Sequence, residues 1–125
     1  MKRLWVCAAL LAVSLTICIC ARVGLQKTAD AEIARLETAA AAVRQGDDAQ
    51  ILRALAACET GWNRECLPFY LFLDHNFFNN FEYTLFHLRD YATLEPGLAL
   101  ENIGYCTAVL RDLADAQKLT PENIF

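Results

Sequence analysis

Between Lys2-Arg3 and Arg22 the chain carries an apolar run, Leu4 to Ala21, interrupted only by Ser14 and Thr16. At about 1.5 Å of rise per residue, such a run spans roughly 27 Å as a helix, close to the hydrocarbon thickness of a bilayer. Nothing else in the sequence constrains the fold as strongly. A cleaved signal peptide has the same basic start and apolar core, but Ile19 is too bulky for the small-x-small pattern before a cleavage site at Ala21. A lipoprotein reading of Cys18 or Cys20 fails in the same way, since Ile17 and Ile19 stand where a small residue belongs. The run therefore reads as a retained signal-anchor. Positive charge flanks it on both sides, Lys2 and Arg3 before and Arg22 and Lys27 after, so the positive-inside count is nearly even. The expected topology is a single pass in the cell membrane with a cytoplasmic N-terminus and an extracytoplasmic domain.

The chain has 11 Lys plus Arg against 15 Asp plus Glu, and with Lys2, Arg3 and Arg22 set aside the remainder is clearly acidic. An acidic surface repels phosphate backbones, which argues against nucleic-acid binding. The roughly hundred residues after the run suffice for one modest core.

Helical periodicity dominates that remainder. Ala29, Ile33, Leu36, Ala40 and Val43 alternate spacings of four and three, and Gly46 supplies a stop. The membrane segment is expected to run into this stretch as one long rod, with Gly24 its soft point. Asp47 is suited to cap a second helix with the apolar face Ile51, Leu55, Trp62, Cys66, Phe69 and Leu73; Gly61 and Pro68 predict a kink or break between them. A third helix after Asp74-His75-Asn76 presents Phe77, Phe81, Thr84, Leu88 and Tyr91, flanked by Phe78, Tyr83 and Phe86. Glu95-Pro96-Gly97 reads as a turn. A fourth helix, about Leu98 to Lys118, presents Ile103, Cys106, Leu110, Leu113 and Gln117, with Gly104 marking a close helix contact. The expectation is an all-α protein: residues 1–24 a transmembrane helix, 25–118 a small antiparallel helical bundle, and 119–125 a C-terminal tail.

Residues that could carry chemistry are few. Cys7, Cys18 and Cys20 lie in the apolar run; Cys58, Cys66 and Cys106 lie in the domain, and no CxxC pair exists. Buried thiols behave as small hydrophobes. Either Cys58 or Cys66 could meet Cys106 if their helices pack together. His75 and His87, twelve apart on a helix, are about 18 Å apart along the axis and cannot share a metal. His87 with Asp90 reads as a surface pair, and His75 as a corner-locking hydrogen bond. Ser14 is the only serine, and the glycines form no phosphate-cradling loop. No enzyme activity, cofactor or metal is expected. The aromatic region from Phe69 to Phe86 reads as core, or else as a groove for a partner, so the candidate partner-facing or corner residues are Trp62, Phe72, Asp74, His75, Phe77, Phe78 and Phe81.

The Met1-Lys2-Arg3-Leu4-Trp5 start, the Gly46-Asp47 break, Trp62, the Phe72-Leu73-Asp74-His75 corner and the ending Leu119-Thr120-Pro121-Glu122-Asn123-Ile124-Phe125 together resemble the DUF4363 family of small bacterial membrane-anchored proteins. Cys58, Cys66 and Cys106 depart from its usual pattern. The resemblance implies a membrane-anchored helical domain with no assigned activity and no catalytic residue. The function expected is a membrane-tethered interaction or scaffold module, possible partners including an integral membrane protein; the alternative is an extracytoplasmic small-ligand binder or sensor with an aromatic groove.

Overall fold

A computed structural model describes residues 1–73 and 75–116, the side chains of Pro68, Phe72, Phe77 and Ala116 excepted. The calls on Asp74, Gln117 and the 119–125 tail, and those on the side chains of Phe72 and Phe77, lie outside the described residues. The protein is all-α. Its elements are α1 (Lys2–Gln45), α2 (Asp48–Glu65), α3 (Leu67–Phe72), α4 (His75–Tyr91) and α5 (Pro96–Ala116).

Helix α1 passes through Gly24 without interruption. Its first half, Leu4 to Ile19, is exposed, and among the described residues α1 is the one helix long and apolar enough to cross a membrane. From Leu25 onward the same helix enters the core. It stops where the backbone turns left-handed at Gly46 (φ 79°), whose N–H bonds the Ala42 and Val43 carbonyls at 3.1 and 3.2 Å. A side chain at that φ would be strained. Asp47 then caps α2, its carboxylate accepting from the Ala49 and Gln50 N–H groups at 3.1 and 3.4 Å.

The chain returns along α1 and breaks at Cys66, which ends α2 and starts α3. Pro68 explains the break: it stands in the first turn of α3, where its missing N–H is not needed. Helix α4 packs on α2 and α5, and α5 closes the ring against the other flank of α1, with Arg111 Nη2 meeting Glu37 Oε1 at 2.8 Å. The result is a four-layer antiparallel ring, α1, α2 with α3, α4 and α5, around one apolar core.

Three expectations need correction. The inward stripe of α4 is Phe78, Phe81, Leu85 and Leu88, continued by Ala92; Thr84 and Tyr91 are half-buried at its edge. Phe81 and Leu88 stand where expected, and Leu85 and Ala92 take the inward places of Thr84 and Tyr91 because this helix touches two neighbours. Pro96 and Gly97 do not form the turn; they open α5, because proline's fixed φ suits the first helical position. Gly104 marks no close contact, being exposed with open space where a Cβ would stand.

Candidate functional site

At the break between α2 and α3, Trp62 is fully buried among Phe69, Phe78 and Phe81, with ring centroids 5.1, 6.0 and 4.7 Å away. All four rings are 0–1% exposed. Their faces are turned on one another, so Trp62, Phe78 and Phe81 follow the core reading of this aromatic region, and the groove alternative does not run through these three rings. The indole keeps its polar handle satisfied, Nε1 donating to Glu82 Oε1 at 2.9 Å, and the Tyr70 hydroxyl donates to the same oxygen. One carboxylate thereby ties α2 and α3 to α4.

His75, the first residue of α4, is exposed; its Nε2–H donates to the Tyr70 carbonyl at 3.0 Å, and its ring meets the Tyr70 ring edge-on at 5.4 Å. His87 is taken up by Tyr83, with Nδ1 bonding the Tyr83 carbonyl at 2.8 Å and the rings stacked at 4.1 Å, rather than by Asp90. Both imidazoles are engaged by backbone oxygen.

Sequence reasoning missed the most unusual polar group of the domain. Glu32, on α1, is 0% exposed. Its Oε2 accepts from Arg35 Nη1 at 2.7 Å, while Oε1 is buried with no hydrogen-bond partner. Arg35 in turn reaches across to α2, where Nη2 donates to Glu65 Oε1 at 2.8 Å. Gly61 makes the crossing possible. A Cβ there would fall on the Arg35 guanidinium, so the glycine serves as the floor on which that group lies.

Burial pushes the Glu32 carboxyl up to about 7; Arg35's hydrogen bond and charge pull the other way, and Glu65 adds a smaller upward push. Glu65, held by Arg35, stays below the ordinary carboxylate range. The thiols of Cys58 on α2 and Cys106 on α5 are fully buried near this carboxyl, and burial, with Glu32's charge added, pushes both up to about 12. The cluster is thus a carboxyl with a raised pKa beside two thiols whose pKa values are raised as well. Among the described residues, no group of three His, Cys, Asp or Glu side chains could hold a metal ion. A signal for Glu32 was present: Leu25, Ala29, Glu32, Leu36, Ala39 and Val43 keep a four-three spacing, with an acid in an apolar stripe.

No protein-family model, curated protein or solved structure matches this chain.

Proposed function

We propose that the protein is a single-pass, membrane-tethered helical scaffold whose bundle docks on another membrane or envelope protein, in its most concrete form as accessory subunit of an integral membrane partner. The observation that carries this reading is α1 itself, whose exposed apolar half and core-forming half are one uninterrupted helix. A chain built this way holds its bundle at a fixed height over a bilayer. The engaged imidazoles and high-pKa thiols speak for a role without a nucleophile. The ligand-sensor reading is weaker, because His75, its polar anchor, is spent on the Tyr70 carbonyl. The resemblance to DUF4363 proteins is in keeping with a tethered domain.

Crosslinking in native membranes, followed by identification of the captured protein, tests the proposal. One reproducible membrane or envelope partner is expected. Release of the chain from membranes by a carbonate wash would remove the tether, and capture of nothing by a chain that stays membrane-bound would remove the scaffold.

A further inference from the structure

Helix α3 descends alongside α1, past the point where the domain would be expected to end. Leu67 and Leu71, one turn apart on the same face, are 63% and 67% exposed. With Ile17, Cys20, Ala21 and Gly24 of α1 they line a groove of about 380 Å³. The opposite face of α3 is committed to the core through Phe69.

Three observations say what covers this groove. It is continuous with the apolar run: Ile17 lies four residues inside Ala21, about 6 Å below the end of that run. Leu67 and Leu71 share that groove with the last turns of the apolar run. The groove also lacks a free polar group of consequence, since Thr16, its one hydroxyl, already donates to the Ala12 carbonyl at 2.8 Å. Finally, backbone groups of α3 find partners within the chain, as hydrocarbon requires, with the Phe69 and Tyr70 N–H groups on the Cys66 carbonyl and the Leu73 N–H on the Phe69 carbonyl.

We infer that α3 is a foot set into the outer edge of the bilayer, and that the groove between α3 and α1 receives an acyl chain of a membrane phospholipid. The inference rests on α1 crossing the membrane, and it adds a second, lateral contact with lipid to that tether. Interfacial helices bury their apolar face about 5–10 Å into the headgroup and acyl boundary, the layer that such a foot would enter.

Tryptophan quenching in proteoliposomes separates the two layers of the argument. The full chain is reconstituted in phosphatidylcholine brominated on its acyl chains, near the headgroup end or near the tail end. In the unaltered protein, quenching of Trp5 reports the tether. Trp5→Phe leaves buried Trp62 as background, and Leu71→Trp or Leu67→Trp added to it reports the foot; Leu94→Trp, at a site 79% exposed in the α4–α5 turn, serves as the water-facing control. The tryptophan at either foot position is expected to lose most of its emission to bromines near the headgroup end and little to aqueous acrylamide, the reverse of the control. Acrylamide quenching equal to the control, with Trp5 still quenched by lipid, would overturn the foot and leave the tether standing. Protection from both quenchers would mean that protein, such as a second copy, covers the groove, and would also overturn it. An unquenched Trp5 would overturn the tether and the foot together.

Discussion

Glu32 should make the bundle lose stability across neutral pH, and Glu32→Gln should remove that loss. A carboxyl whose pKa is raised by folding binds its proton more tightly in the native state, so the native state gains relative to the unfolded one as pH falls. The stabilisation is fully present below the unfolded value of 4.5 and is lost as pH rises through about 7. At about 1.36 kcal/mol per pH unit, that interval corresponds to about 3 kcal/mol. Glu32 is fully buried, so solvent screening does not reduce this figure. It is a large share of the about 5–15 kcal/mol that holds a small domain together. The neighbouring groups leave the window clear. Glu65, with its pKa lowered, acts below pH 4.5, and Cys58 and Cys106, with theirs raised from 9, act above pH 9. Denaturant unfolding of the full chain in detergent, followed by Trp62 emission in a Trp5→Phe background, measures the effect at pH 5 and pH 8. Parent stability should fall by about 2–3 kcal/mol between them, most of the full effect, and that of Glu32→Gln by much less; parallel pH dependences in the two proteins would refute the argument.

Gly61→Ala should destabilise by about 1–3 kcal/mol despite alanine's better helix propensity, because the new methyl displaces Arg35 from Glu32 and Glu65; a gain of about 1 kcal/mol in the same unfolding assay would mean that Arg35 moves aside freely. Trp62→Ala should cost about 3–5 kcal/mol through the cavity left among Phe69, Phe78 and Phe81, whereas His75→Ala should cost about 1 kcal/mol for one exposed-side hydrogen bond; thermal melts compare them directly. Cys58 and Cys106 should resist maleimide in the folded chain and react on unfolding, as read by mass spectrometry of labelled peptides.

The features legible in the sequence were those written in local chemistry. Gly46-Asp47 announces a corner because a left-handed stop and a carboxylate cap each act within a turn, and Pro68 breaks α2 from α3 for an equally local reason. Helix α4 was harder. Phe77, Phe78, Phe81, Leu85, Phe86 and Leu88 supply apolar groups to more than one face, and only packing against both α2 and α5 selects the stripe. Glu32 escaped notice for a related reason. Helix α1 is flanked by α2 and α5, so its buried face is broad enough to take in Glu32 beside Ile33, and a single narrow stripe hides the acid. The Arg35 bridge depends on residues thirty positions apart, Arg35 and Glu65, meeting over a glycine, which no local pattern reports.

The unbroken course of α1 gives the protein the mechanics of a lever. Beyond Ala21 the helix continues for 24 residues to Gln45, an arm of about 36 Å with no joint at its base. A change of tilt of about 10° would swing the Gly46 corner sideways by roughly 6 Å, on that helical rise. Tilting is one way a membrane helix accommodates a change in bilayer thickness, so if α1 crosses a membrane, thinning or thickening it would be magnified into a displacement of the bundle's far end. A foot braced against the lipid would act as the fulcrum of that arm.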